Sequence, residues 1–523
     1  MTLTELSDDK KGGIAWGGSL VGSENPNNLG YRYSTATKRY RVVESTPTSL
    51  PSNLQIQFQN REGKELAGIL DVPTNSSVDD LNALVHALLE ADDKRIPYAF
   101  YAKINGDDVE VTDILSELFE HFPDLSTESV LQLTYQPRAV FRVRPVTRCS
   151  DTLPGHTEAI LHVSYAPHGR LLASGGGDTM VRFWDILTAT PKFTCAGHKN
   201  HVLCTAWSPN GERFVSGDRN GVWILWDPAK GTAIGKHVKA HKQWITGLAW
   251  EPLHANSKCE RLATSSKDGT LKVWNVRTQS CLVTLSGHTD SVEAVKWGEL
   301  VYSASRDRTI KVWNPDRGIL VRTLTGHGHR INTLALSSDY VNRVGPFDHK
   351  NTKFESEEAA YKAAKEKYEE FKRNQGGVER LVSGSDDFTL FLWHPQESKQ
   401  PIKRLTGHQQ AVNQIVFSPD ARYFASASFD KKVKIWNGFS GDFISTLTGH
   451  VGAVYQVAWS ADSRYLVSAS KDSTAKLWEV PSGKRAKGTL PGHFDEVYAL
   501  DWSPTGGSVA TGSKDRTIKI WKH

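Results

Sequence analysis

The repeated spacing of histidine and tryptophan restricts this chain more than any other feature. Eight histidines (His156, His198, His241, His288, His327, His408, His450 and His493) each precede a tryptophan (Trp184, Trp226, Trp274, Trp313, Trp393, Trp436, Trp478 and Trp521). In five of these pairs the interval is 28 residues, and successive histidines mostly stand 39 to 47 residues apart. Six residues before each Trp come Asp178, Asn220, Asp268, Asp307, Asp387, Asp430, Asp472 and Asp515. Four residues earlier there is always a hydroxyl: Ser174, Ser216, Thr264, Ser303, Ser383, Ser426, Ser468 and Thr511. Self-similarity at such a period means stacked supersecondary units, none of which can bury its apolar face alone. His, Ser/Thr and Asp together have the composition of a hydrolase triad. An active site is needed only once, however, and this set recurs in every unit and ends on Trp, which has no role in acyl transfer. With no Gly-x-x-x-x-Gly-Lys-Ser/Thr loop, and with Gly175, Gly176 and Gly177 falling in a turn, an enzyme is not expected.

The period and signature resemble those of WD repeats, in which each unit is one four-stranded blade. Eight units imply a mainly β chain, an eight-bladed WD40 β-propeller over residues 151–523. In WD repeats the turn Asp bonds the His, the His bonds the hydroxyl and the hydroxyl meets the Trp N–H. The resemblance therefore gives structural roles to His156, Ser174, Asp178 and Trp184 in the first blade, and to His450, Ser468, Asp472 and Trp478 in the seventh. Asn220 stands where Asp is usual and Ala240 where Gly is usual, so blades two and three are expected to hold weaker networks. The fifth His-to-Trp interval is 66 residues, which marks an insertion at about 339–378. Within it, Phe354 to Asn374 is Ala/Glu/Lys-rich and predicts a helix. Its stripe is Phe354, Ala359, Tyr361, Ala364, Tyr368 and Phe371, on the bottom of the ring, free either to pack back or to meet a partner.

The last repeat stops after its third strand, leaving a sheet edge to be covered. Residues 137–150 are read as linker and closing strand, with Ala139 to Arg148 supplying the missing outer strand and tying the preceding domain to the ring. Pro145 is tolerable there because an outer strand can spare an N–H.

Five scattered cysteines without a Cys-x-x-Cys, a polar start from Met1 to Gly13 and no long apolar run predict a soluble chain of a reducing compartment, away from membranes. Residues 50–135 carry 5 Lys/Arg against 16 Asp/Glu, whereas residues 151–523 carry 48 against 37. An acidic module is thus fused to a basic ring, and the two should seek different partners.

Residues 1–49 are rich in Gly, Asn and Ser and are expected to be mostly disordered. In 50–136, Leu54, Ile56 and Phe58 alternate with polar residues, then comes Glu62-Gly63 and a second alternating run from Lys64 to Val72, a β-hairpin. Ser77 caps a helix with Val78, Leu81, Leu84, Val85, Leu88 and Leu89 on its apolar face. A strand from Tyr98 to Ile104, a turn at Asn105-Gly106, a helix from Asp113 to Phe122 and a strand from Val130 to Tyr135 follow. This ββαββαβ order is that of a small α+β, ubiquitin-like β-grasp domain.

A ubiquitin-like domain, the linker Tyr135-Gln-Pro-Arg-Ala-Val-Phe141 and eight WD repeats together resemble the Notchless family of ribosome-assembly factors, from about Leu54 to the end. The resemblance implies a non-catalytic factor of the pre-60S particle in nucleolus and nucleoplasm, monomeric there and in contact with ribosomal proteins and rRNA. It also implies docking on the metal-ion-dependent adhesion site of the AAA+ ATPase midasin. No intrinsic cofactor is implied: the Mg²⁺ belongs to the partner, and a carboxylate from the docking module completes its oxygen shell. In the family that donor precedes the last β-grasp strand, here Leu125-Ser-Thr-Glu-Ser129, which assigns the role to Glu128; Glu117 and Glu120 lie on the preceding helix. The alternative readings are a cullin-type ubiquitin-ligase receptor, for which Trp274-Asn-Val-Arg277 is an imperfect signature, and a scaffold in Notch signalling.

The residues just before the turn Asp face outward on the top of WD propellers. Here they are Gly177, Arg219, Lys267, Arg306, Asp386, Phe429, Lys471 and Lys514. Arg219, Lys267, Arg306, Lys471 and Lys514 are therefore candidate partner-binding residues, for RNA phosphate, an acidic protein segment or the chain's own acidic module, the plainer alternative being a solvated polar face. No aromatic stacking residue is evident beside them, so base-specific recognition is not expected.

Overall fold

A computed structural model describes residues 51–60, 64–89, 98–104, 107–111, 114–122, 129–137, 142–349, 352, 354, 356–480 and 485–523. The chain divides into two compact units; the smaller ends at Tyr135 and the larger contains Gln136–His523.

The smaller unit runs β1 (Asn53–Gln59), β2 (Leu70–Pro73), α1 (Val78–Leu88), β3 (Tyr98–Ile104), β4 (Asp107–Glu110), α2 (Ser116–His121) and β5 (Leu131–Pro137). The sheet order is β2-β1-β5-β3-β4, with β1 and β5 parallel, the β-grasp arrangement. Alternation in β1 sends Leu54, Ile56 and Phe58 into the core, where Leu81 and Val85 of α1 are also fully buried. Ser77 opens α1 with a capping box: its Oγ accepts from the Asp80 amide, and the Asp80 carboxylate accepts from the Ser77 amide at 2.9 Å. The second strand is shorter than the alternating run from Lys64 predicts. Glu65 makes one isolated bridge to Gln59, and regular pairing starts only at Leu70. The expected disorder of 1–49, the Glu62-Gly63 turn and the Asn105-Gly106 turn lie outside the described residues.

The larger unit is eight antiparallel sheets; the first seven follow the chain as meanders, with the outer strand of the second in two short pieces, Thr232–Ala233 and Val238–Lys239. The first seven blades span 160–195, 202–239, 245–286, 292–325, 331–405, 412–447 and 454–490. Their innermost strands pack side by side in order, and the inner strand of the eighth meets that of the first, so the ring is closed. The eighth blade combines Val497–Trp502, Ser508–Ser513 and Thr517–Lys522 with β6 (Arg148–Pro154).

The closing strand thus lies C-terminal to the expected Ala139 to Arg148. Residues 139–141 are outside the described set, and 142–147 are irregular. β6 pairs antiparallel with the last strand, Leu153 opposite Ile518 and Cys149 opposite Trp521. The reason is chemical: only Leu153 supplies the single inward apolar side chain that outer strands such as Ser280–Ser286 also supply, next to their Gly-His loop. The segment before β6 has a different task. Val143 and Val146 are buried with residues of blades seven and eight, and the Val143 amide donates to Asp462 at 2.8 Å.

Candidate functional site

The repeated polar residues join in every blade. In the first, Asp178 accepts from His156 Nδ1 at 2.9 Å, His156 Nε2 meets Ser174 Oγ at 2.7 Å, and Trp184 Nε1 donates to Ser174 at 2.9 Å. In the seventh, His450 meets Asp472 at 2.8 Å and Ser468 at 2.7 Å, and Trp478 donates to Ser468 at 2.8 Å. In six blades the non-glycine residue after the turn Asp has positive φ, for example Thr179 at 65° and Arg516 at 71°, a conformation costing about 1 kcal/mol. The Asp carboxylate offsets this by accepting from the amide two residues on, as Asp515 does from Thr517 at 2.9 Å. Burial works against charge on Asp178, Asp307, Asp387, Asp472 and Asp515, yet the bond from each one's histidine holds the carboxyl well below its ordinary value. Burial also favours neutral imidazole at His156 and lowers His241 to about 4.

Blade two departs from its expected weakness. Asn220 is exposed, and the carboxylate that meets His198, at 3.0 Å, is Asp218. Ser216 still joins His198 at 2.6 Å to Trp226 at 2.7 Å, so the chain is complete. Gly221 follows the turn with φ of 78°, and Asp218 also accepts from the Asn220 and Val222 amides, both at 2.9 Å. In blade three the network is present but its His241 to Asp268 bond, 3.2 Å, is the longest of the eight.

At the same end of the ring, each of the five basic residues is pinned by its amide to the start of its blade's inner strand. Arg219 donates to the His201 carbonyl, Lys267 to Trp244, Arg306 to Ser291, Lys471 to Ala453 and Lys514 to Glu496. The five are not equivalent. Arg306 pairs with Glu293, Lys471 lies 3.9 Å from Glu496, and Lys514 lies 3.4 Å from Asp495. Arg219 and Lys267 lie instead over the indole of Trp244, at 4.2 Å and 3.6 Å from a ring centroid. The expectation of a mouth without aromatics is therefore corrected. Besides Trp244, Phe429 packs edge-on against Tyr455, and the rings of Tyr455 and Tyr498 pack tilted at 50°. Trp244, Tyr455 and Tyr498 sit on or beside the inner strands, a position that the turn residues alone do not reveal.

The opposite end is capped by the insertion of blade five. Helix α3 (Asp339–Val344) lies against the axial cavity of about 530 Å³, which residues of all eight blades line. Lys296 of blade four holds Asp339 at 2.9 Å, and Arg343 reaches Asp501 of blade eight. Phe347 packs edge-on against His168 of blade one. Helix α4 (Glu357–Asn374), capped by Ser356, then packs back on the ring, which resolves the two readings left open by its sequence. Tyr368 stacks on His254 of blade three at 3.5 Å and donates to Glu299 of blade four at 3.1 Å, while Ala364 is buried against Leu253 and Cys259. Tyr361 is half-buried, and Phe371 packs against a core cluster spanning blades five and six. Ala359, assigned to the apolar stripe, is exposed, and Ala360 is half-buried instead.

Glu128 lies outside the described residues. Glu117 and Glu120 fall within α2.

Comparison with known proteins matches the description "WD domain, G-beta repeat" to 147–185, 189–227, 233–275, 279–314, 399–437, 441–479 and 484–522. The blade carrying the insertion is the one not matched. The description "NLE (NUC135) domain" matches residues 54–118. The Notchless protein homolog of Arabidopsis thaliana is 50% identical over 386 residues, 73% of this chain and 80% of the relative. Ribosome assembly protein 4 of Saccharomyces cerevisiae is 46% identical over 422 residues, 78% of this chain and 82% of the relative. Protein Notchless of Drosophila melanogaster is 43% identical over 392 residues, 74% and 78%. Among solved structures, the computationally designed Ika8 protein superposes with a TM-score of 0.56 at 26% identity, covering 71% of this chain and 98% of the design. With the NLE module, the repeat signature and these relatives in agreement, the chain belongs to the Notchless family of WD-repeat proteins.

Proposed function

We propose that this protein is a non-catalytic assembly factor of the large ribosomal subunit, acting in nucleolus and nucleoplasm as a monomer bound to the pre-60S particle. The observation that carries this is the pairing of an NLE module with a WD ring, at 46% identity to a relative named ribosome assembly protein 4. The ring's repeated histidines are occupied in structural bonds, which suits a platform for ribosomal proteins and rRNA. The acidic module docks on the adhesion site of midasin, where Glu128 completes the coordination of a Mg²⁺ held by that partner. Carboxylate oxygen is the hard ligand such an ion takes. A pull on the module reaches the ring along the chain first at Val143, whose amide donates to Asp462 and which is buried with Val146, and then at β6, which pairs with the last strand from Lys522 to Thr517. Several ladder bonds share that load, so the ring can be moved without opening.

The test uses the full chain and the midasin adhesion domain, with Mg²⁺ and with EDTA, comparing wild type and Glu128→Ala. Binding that requires both the metal and Glu128 is expected; binding indifferent to both would place the contact elsewhere. Isolation of the chain from cells should bring pre-60S proteins, and recovery of a cullin complex in their place would overturn the assembly reading.

A further inference from the structure

The five mouth cations divide into two sets. Arg306, Lys471 and Lys514 each have a carboxylate of their own ring beside them. Among the described residues, no ion pair neutralises Arg219 or Lys267, nor Lys239, Lys242 and Lys272 of the same blades, two and three. Lys239 Nζ is spent on the Asn220 carbonyl and Lys272 Nζ on the Ala240 carbonyl at 2.7 Å, bonds that fix position and leave the charge intact. Lys239, Lys242 and Lys272 line one cavity of about 460 Å³ beside His241. Its one carboxylate, Asp268, is turned inward to His241, to the Lys242 amide at 3.0 Å and to Thr270 at 2.6 Å.

Trp244 gathers two of these cations. Its indole holds Arg219 and Lys267 at 4.2 Å and 3.6 Å, so two like charges share one half-buried aromatic surface. Cations held by an aromatic ring keep their full charge toward solvent, whereas those held by carboxylates do not. An exposed guanidinium plane is also a surface on which a base can stack.

We propose that Arg219, Trp244 and Lys267, with Lys239, Lys242 and Lys272, form a site for the phosphodiester backbone of RNA on blades two and three. The proposal rests on the assembly reading above and narrows its RNA contact to blades two and three. A nucleic acid strand offers what this sector fits, a regular row of charges with stackable bases between them. The paired cations of blades four, seven and eight take no part.

The test is fluorescence anisotropy of the purified full chain with fluorescein-labelled polyuridylate, across a salt series and without midasin or particles. Arg219→Gln with Lys267→Gln should weaken binding about tenfold at moderate salt and reduce the slope of log K against log salt by about 1.4. Arg306→Gln with Lys471→Gln and Lys514→Gln should leave it within about twofold. Trp244→Leu should weaken binding while Trp244→Phe, which retains an aromatic face, restores most of it; thermal melts of each variant confirm the fold. Equal losses for the two sets of cations would overturn the proposal. So would labelled polyglutamate binding through Arg219 and Lys267 while RNA does not. Because midasin is absent, failure here leaves the Glu128 contact standing, and failure at Glu128 leaves this site standing.

Discussion

Arg343 and Asp501 form a two-pronged salt bridge at the axial cavity, Nη1 to Oδ1 at 2.8 Å and Nη2 to Oδ2 at 2.5 Å. Arg343 belongs to α3 in blade five and Asp501 to the inner strand of blade eight. The same carboxylate accepts from the Tyr165 amide of blade one at 2.7 Å, and Arg343 also reaches the Tyr165 carbonyl at 3.4 Å. One side chain from a blade on the far side of the ring therefore fastens the seam between the last blade and the first. Arg343→Leu should destabilise the ring by about 3 kcal/mol, because it strands a carboxylate that is mostly buried. Adding Asp501→Asn should return much of that loss, since the uncompensated charge is gone. Urea unfolding measures both, and a single variant within error of wild type would show that the strut carries no load.

The second blade offers a sharper test of the polar network. Asp218 holds His198 and the turn amides, and Asn220 points outward with its side chain bonded to Asn200, at 3.0 Å. Asp218→Ala should cost about 2 kcal/mol, the range for leaving buried donors without an acceptor. Asn220→Ala should stay within about 0.5 kcal/mol, as exposed substitutions do. Thermal melts that rank the two variants the other way would restore Asn220 to the network.

Glu379 gives the ring an unusual pH dependence. Burial pushes its carboxyl up to about 7 from 4.5, despite hydrogen bonds from Ser338 and from Tyr302 at 2.9 Å. The folded state therefore keeps this proton to higher pH than the unfolded chain does. The resulting stability is complete below the unfolded value of 4.5 and is lost as pH rises through 7. Glu379→Gln cannot titrate, so its stability relative to wild type should improve by about 3 kcal/mol between acid and neutral pH. That figure follows because one proton held by the folded state alone is worth roughly 1.4 kcal/mol for each step of one in pH. Other titrating groups cancel in that difference. Parallel profiles for the two proteins from pH 4.5 to 7.5 would refute it.

The sequence exposed the blades because their polar chain recurs at fixed spacing, and it exposed the β-grasp module because strand alternation and the Ser77 cap are local signals. It misled where the chemistry depends on neighbours. Position six before Trp226 holds Asn220, but the turn lets Asp218 reach the same imidazole. The cations of the mouth look alike in sequence, and only the inner strands show which have a carboxylate and which have Trp244. α3, at 6 residues, is too short to show a period. The closing strand does carry a local signature, although alternation around Pro145 points elsewhere. Leu285, Leu324, Leu405, Leu447 and Leu490 each stand three residues before a repeat histidine near the end of an outer strand, and Leu153 stands in the same relation to His156. An outer strand preceding the first blade has only the last one left to complete.

That placement sets an ordered series of truncations. A chain starting at residue 142 keeps Val143, Val146 and β6, and should fold like the full ring. A chain starting at 148 retains the closing strand but loses the burial of both valines, a deficit of about 3 kcal/mol at roughly 1.5 kcal/mol for each. One starting at 155 leaves the strand Thr517–Lys522 without its partner and exposes a row of unpaired backbone groups, which should drive self-association. Sedimentation velocity with thermal melts separates the three. A monomeric chain from 155 that melts with the full protein would mean that blade eight closes without β6.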